Sequence, residues 1–303
     1  MTGFAIPDFG EVGVWTYQLE LQPADAAREA AARLEDLGFR LLWISDSRRR
    51  DVLVNAALLL SATRRLAVAT GIASIYGRDP MTMAFSAKTL AEAFPDRFVL
   101  GLGVSHRSIV EGQRGHAYGP GVATMRHYLQ AMTEAEYLSP EPPAGGCPVI
   151  LGALGPKMLE LARELTSGAH PYHTTPEHTH RARTILGPGA FLAPELPVVF
   201  DTDPASARAL ARSRIGNSLR HPAYVSNLLR LGFAEDDFAG GGSDRLIDGL
   251  VAWGDEPAIT KRIRDHLAAG ADHVAVQVIP ADERSLPFPQ WMLLAEAFSL
   301  ART

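Results

Sequence analysis

LAVATGIASIYGRDPMTMAFSAKTLAEAFPDRFVLGLG, residues 66–103, reads as one structural unit. The apolar run from Leu66 to Gly71 has the length and β-branched content of a buried strand. Pro80 to Ala93 has helical periodicity, and Arg97 to Leu102 is a second apolar run. Strand, helix and strand in so short a span make a βα unit of a parallel sheet, with a polar turn ending at Arg78 after the first strand.

The same alternation extends in both directions. Toward the N-terminus, strands are predicted at Val12 to Thr16 and Arg40 to Ile44, with helices at Ala24 to Leu37 and Asp51 to Thr63; Leu37-Gly38 is a helix stop. After Leu102 comes a polar, Gly-rich insertion from Ser105 to Gly121, longer than an ordinary βα loop. A helix from Val122 to Tyr137 then runs through SPEPPAGGCP into a fifth strand at Val149 to Leu151. A helix from Pro156 and a short sixth strand at Gly168 to Tyr172 follow. The next helix opens with TTPEHT, where either Thr175 caps with Pro176 in the first turn or Thr174 and Glu177 form a capping box. Strands seven and eight fall at Leu196 to Phe200 and His273 to Ile279, and the stretch between them, which includes AGGGSD at 239–244, is too long for one crossover and reads as a helical insertion. A last helix at Gln290 to Leu300 closes the series. The expected architecture is an α/β fold, a (β/α)8 TIM barrel with insertions after strand 4 and before strand 8, forming one domain over residues 1–303.

Hydrophobic residues make up 47% of the chain and charged residues 21%, which supplies a large core and argues against disorder. A formal charge of -5 gives no general attraction to nucleic acid or anionic lipid, so a small-molecule partner is expected, with no nucleic acid and no membrane. Cys147 has no partner for an internal disulfide, and MTGFAIPDFGEV has no basic stretch followed by an apolar run, so a cytoplasmic location is expected.

Barrels carry their chemistry at the carboxyl ends of the strands. Those positions hold Thr16 and Tyr17; Asp46 with Arg48, Arg49 and Arg50; Ala73 to Arg78; His106 and Arg107; Gly152 to Lys157; and Tyr172 with His173. Such a rim of polar, aromatic and cationic groups suits an anionic ligand with a flat ring. In GALGPKM, small residues run into a helix whose free N–H groups and dipole can hold phosphate, which makes Gly152, Gly155 and Lys157 candidates with Pro156 in the first turn. Gly-Pro also starts helices that bind nothing. His170, His173, His178 and His180 match no metal-ligand spacing, so no metal is expected; His173 is placed to reach the pocket, and His178 and His180 read as exposed.

LGFRLLWISDS at 37–47, TGIASIYGRDPMTMAFSAKTLAE at 70–92 with DRFVLGLGVSH at 96–106, PVILGALGPKMLELARELTSG at 148–168 and GADHVAVQV at 270–278 together resemble the luciferase-like monooxygenase superfamily, in particular its coenzyme F420-dependent branch. The resemblance implies a deazaflavin or flavin ring across the barrel mouth, backed by a non-prolyl cis peptide at Gly71-Ile72; Arg78 and His173, read from their places at the strand ends, are further candidates for cofactor contact. It implies hydride transfer between coenzyme F420 and a small organic substrate. The alternatives are an FMN-dependent monooxygenase using oxygen, or a barrel that binds such a cofactor without turnover. Arg48 to Arg50 could hold the polyglutamate tail of coenzyme F420 by charge-assisted pairs, or form a solvated loop. Relatives often have histidine after the strand-two acid, where this chain has Ser47; proton transfer then falls to His106, His116 or Asp46, with His106 first. A homodimer through the helices near strands two and three, including the apolar Met81 to Leu90, is implied as well. Against a lyase or hydrolase, Lys88, Lys157 and Lys261 all fall in helices and no strand carries paired histidines.

Overall fold

A strand whose side chains are buried on both faces needs partners on both edges and helices outside it, and the apolar runs of this chain meet that need by pairing in parallel. The computed structural model describes residues 6–143 and 145–300. Its strands are β1 (Val12–Thr16), β2 (Leu41–Ile44), β3 (Ala67–Thr70), β4 (Ala73–Ser74), β5 (Phe98–Gly103), β6 (Val149–Leu151), β7 (Gly168–Ala169), β8 (Phe191–Leu192), β9 (Glu195–Val199), β10 (Ala252–Trp253) and β11 (Val274–Val278). They run in the order β10-β9-β11-β1-β2-β3-β5-β6-β7-β8, with β4 paired to β5.

The segment 191–199 closes the ring. Its first part pairs with β7, and its backbone continues that contact through Ala193 N–H to the Ala169 carbonyl at 3.0 Å and Glu195 N–H to the Pro171 carbonyl at 2.8 Å. Its second part pairs with β11, whose Ala275 N–H reaches the Pro194 carbonyl at 2.9 Å. One bent strand thus serves both neighbours, and the sheet is a barrel. The sequence reading began this strand at Leu196, because Ala193 and Pro194 interrupt the β-branched pattern that would have marked its start.

Between the strands run α1 (Ala24–Asp36), α2 (Val52–Leu60), α3 (Pro80–Ala93), α4 (Arg107–Gly112), α5 (Gly121–Glu134), α6 (Pro156–Leu165) and α7 (Pro176–Leu186). Side-chain oxygens fix several starts: Asp51 accepts from Leu53 and Val54 N–H, Asp79 from Thr82 N–H, and Thr175 from His178 N–H. The expected insertions are both present. The first carries α4 and the start of α5. The second holds α8 (Pro204–Ile215), α9 (Pro222–Arg230), α10 (Asp244–Leu250) and α11 (Glu256–Ala268), with its own core of Ala207, Ala211, Leu228, Leu246 and Leu250. The last helix, α12, spans Phe288–Ala297.

Trp15, Trp43, Ala69, Val99, Ile150 and Ala275 fill the barrel interior, while Leu42, Val68, Leu100 and Val274 face the helices. That alternation is the period-2 pattern of a strand buried on both sides. Cys147 is buried just before β6, and burial pushes its thiol up to about 12.

Candidate functional site

A cavity of about 500 Å³ opens at the carboxyl ends of the strands. Ser45 and Asp46 enter it after β2, Gly71, Ile72 and Ser74 around β4, Gly103 to His106 after β5, Gly152 to Gly155 after β6, and His170 and Tyr172 after β7. Helix α9 of the second insertion supplies the opposite wall with Tyr224 and Arg230. A larger depression of about 770 Å³ lies at the other end of the strands, beside Glu11, Thr166 and Asp272. Barrel enzymes put no chemistry there.

The floor is shaped by what the glycines lack. A Cβ on Gly103 would fall 1.7 Å from Ile72 Cδ1, and one on Gly152 would meet Ile72 Cγ2 at 3.5 Å. Ile72 therefore lies flat across two glycines and presents an apolar surface to the cavity. The Gly71-Ile72 peptide is cis, at the position the resemblance implied. Trp15 Nε1 donates to the Gly71 carbonyl at 3.2 Å.

Asp46 accepts from Ser74 N–H at 2.9 Å and lies 3.7 Å from Arg114 of the first insertion. Burial raises its carboxyl against the lowering effects of that bond and of Arg114. Behind it, Ser45 Oγ donates at 2.7 Å to Glu20, whose carboxyl burial pushes up to about 7. His106 is the N-cap of α4, and its ring stacks on His221 with centroids 3.8 Å apart and planes 5° apart. Burial, then the His221 neighbour, pushes it down to about 4. His116 is exposed and lies tilted beside Tyr76, ring centroids 6.5 Å apart, outside the cavity lining.

The cofactor candidates divide. Gly71, Ile72, Gly152 and Gly155 line the cavity; Pro156 and Lys157 are exposed on the first turn of α6, outside that lining. Arg78 is paired with Asp51, which caps α2, and so serves the loop rather than the cavity. Of the arginine run, Arg49 lies over the Tyr17 ring and Arg50 donates to the Leu19 and Gln22 carbonyls, while Arg48 is exposed. His173 does not line the cavity: it is 2% exposed, its N–H donates to Glu195 at 3.1 Å, and its Nδ1 lies 3.5 Å from the same carboxylate. His178, read as exposed, is buried with Nε2 2.9 Å from the Leu154 carbonyl, because α7 turns that face onto α6.

Sequence reasoning missed Arg230, Tyr224 and His221, all within or at the cap of α9. Nothing local marks a helix in an insertion as a cavity wall. Only the path of the chain back over the barrel shows it. Arg230 Nη2 would stand 3.6 Å from a Cβ on Gly155, so a guanidinium and the N-terminus of a ten-residue helix face the same corner.

Fold and site define a class, a (β/α)8 barrel with a glycine-floored cavity at the carboxyl ends of its strands. The chain belongs to the luciferase-like monooxygenase family, whose model matches residues 2–273. A Mycobacterium tuberculosis protein provisionally named a coenzyme F420-dependent oxidoreductase is 27% identical over 195 residues, 55% of each chain. The 5,10-methylenetetrahydromethanopterin reductase of Methanolobus tindarius is 29% identical over 174 residues, 50% of this chain and 52% of that one. This chain thus spans about half the length of the curated relatives it matches. The solved structure of an F420-dependent secondary alcohol dehydrogenase with an F420-acetone adduct superposes with a TM-score of 0.75 at 16% identity, covering 97% of this chain and 99% of that one. That likeness establishes the fold. Among the described residues, no helix is long and apolar enough to cross a membrane.

Proposed function

We propose that the protein is a coenzyme F420-dependent oxidoreductase acting on a small organic substrate. The observation that carries this reading is the meeting, in one cavity, of a flat apolar floor made by Ile72 over Gly103 and Gly152 with an anion-holding corner made by the start of α6 and Arg230. A planar ring with a phosphorylated side chain fits that pairing. Gly152, Gly155 and Arg230 would hold the phosphate, and Asp46 would face the polar edge of the ring. When bound, the deazaflavin supplies a hydride-accepting or hydride-donating carbon. His106 would take or return the proton on the substrate heteroatom, and Tyr172, Tyr224 and the His106–His221 stack would exclude water. The names carried by the curated relatives favour coenzyme F420 over FMN.

Titrating the purified protein with coenzyme F420 and with FMN, followed by fluorescence quenching, tests the reading. Saturable binding of F420, tighter than that of FMN, is expected. Tight FMN binding with oxygen consumption in the presence of reduced FMN would make the protein a monooxygenase instead, and binding of neither would sink both. A homodimer is also proposed: Val54 on α2 and Met81 on α3 are exposed on adjacent helices, 58% and 54% respectively. Light scattering should give twice the chain mass at micromolar concentration, and a monomer mass would reject it.

A further inference from the structure

The floor of the cavity holds a polar atom that no contact described so far uses. His170, just past β7, is 1% exposed and stacks on Trp43 with ring centroids 4.2 Å apart and planes within 10°. Its Nδ1 lies 2.7 Å from the Ala193 carbonyl oxygen. A carbonyl only accepts, so Nδ1 carries the ring proton and Nε2 bears a lone pair. The stack beneath is fixed in the same way: Trp43 Nε1 donates to His273 Nε2 at 3.2 Å, and His273 Nδ1 donates to the Gly10 carbonyl at 2.7 Å. The His170 ring therefore has one seat and one tautomer.

Among the described residues, its Nε2 has no hydrogen-bond partner. The atom faces the glycine end of the floor, where a Cβ on Gly71 would lie 3.2 Å from it and 2.6 Å from Trp15 Nε1. The Trp15 N–H cannot satisfy it, because that proton is already given to the Gly71 carbonyl. Leaving a buried acceptor unpaired is destabilising, a cost that an apolar ring in the same seat would avoid. His170 also lines the cavity.

We propose that His170 Nε2 is an acceptor subsite for a neutral donor, an O–H or N–H of a bound ligand. A ligand presenting only a carbonyl oxygen there would set lone pair against lone pair and be rejected. The donor has two possible sources, the ring imide N–H of a bound coenzyme or the hydroxyl of an alcohol substrate. The first source rests on the oxidoreductase reading, whereas the acceptor itself does not.

Long-range nitrogen NMR on protein carrying nitrogen-15 histidine reads both ring nitrogens of His170, assigned with His170→Phe, or with His170→Gln where the first variant fails to fold. The probes are coenzyme F420, cyclohexanol and cyclohexanone, each added separately. The expected result is that the Nε2 resonance moves toward that of a hydrogen-bonded acceptor while Nδ1 stays. Movement with F420 assigns the donor to the coenzyme; movement with cyclohexanol but not cyclohexanone assigns it to the substrate. His170→Phe should weaken the ligand that moves the resonance by about tenfold. An Nε2 resonance unmoved by all three probes at their highest soluble concentrations overturns the proposal, and equal movement with cyclohexanone overturns the donor requirement. Failure of F420 to bind, seen independently as absent quenching, counts against the oxidoreductase reading and leaves the subsite to the alcohol arm.

Discussion

A histidine pushed down to about 4, as His106 is, carries no charge at neutral pH, so it can accept a proton from a substrate hydroxyl but stores none beforehand. The parallel stack on His221 favours the same state, since charging both rings at 3.8 Å would set like charges face to face. A positioned base contributes about 10²- to 10⁴-fold to a proton-transfer step. His106→Gln should therefore lower turnover in the alcohol-oxidising direction by about 10²-fold or more while leaving the coenzyme dissociation constant nearly unchanged. In the parent protein the rate should rise with pH through about 4 and then level off, because the base must be unprotonated, and the variant should lack that limb. Full turnover in His106→Gln together with loss in Asp46→Asn would move the proton to the strand-two acid, which burial also holds above the usual carboxylate range.

Helix α6 and the α9 wall show how far an element can be read before the chain is folded. GALGPKM gave the helix start, and Gly155 and Pro156 stand at the N-cap and first position of α6 as the sequence suggested. Lys157 was the cation expected at the phosphate, yet the first turn of α6 points it to solvent, and Arg230 stands at that corner instead. The barrel strands were legible because period-2 and continuous apolar runs report burial directly. Arg230, Tyr224 and His221 were not, because their role depends on contacts some 50 to 120 residues away in the chain, which no local periodicity encodes. His173 was misplaced for the opposite reason: one residue past Tyr172, it turns inward to the buried Glu195. Arg230→Met and Gly155→Val should each weaken the phosphorylated coenzyme far more than its unphosphorylated riboflavin-like core, by about 10-fold or more for the arginine given the strength of charge-assisted hydrogen bonds. Equal loss of both ligands in isothermal titration would show damage to the wall rather than loss of an anion contact.

Across the whole molecule, the buried histidines tie stability to pH. His170 and His273 are pushed down to about 4 and His266 to about 3, in each case first by burial, and all three are at most 1% exposed. Around His170 and His273 lie Trp43 and the Ala193 and Gly10 carbonyls; around His266 lie Thr179, Arg262, Asp265, His178 and Glu177. An unfolded histidine takes up its proton near pH 6.5, so below that value the unfolded chain binds protons that the native state refuses. Stability from these groups is complete above 6.5 and falls as pH drops toward 4. Between pH 6.5 and 5 each accounts for a loss of about 2 kcal/mol. Glu20 works against them: raised to about 7 by burial, it is protonated in the native state and ionised in the unfolded chain between 4.5 and 7, and so stabilises on acidification by about 2 to 3 kcal/mol. Three histidines outweigh one carboxyl, and the depressed carboxylates such as Asp51 and Asp248 titrate below this window. Calorimetry at constant ionic strength should therefore show a Tm at pH 5 lower by about 5 °C or more than at pH 7. His266→Gln should shrink that difference and Glu20→Gln should enlarge it, because the first removes a group that refuses the proton and the second removes a group that accepts it. A Tm equal or higher at pH 5 would mean that the buried rings take up protons in the folded state, and would overturn their assignment as neutral.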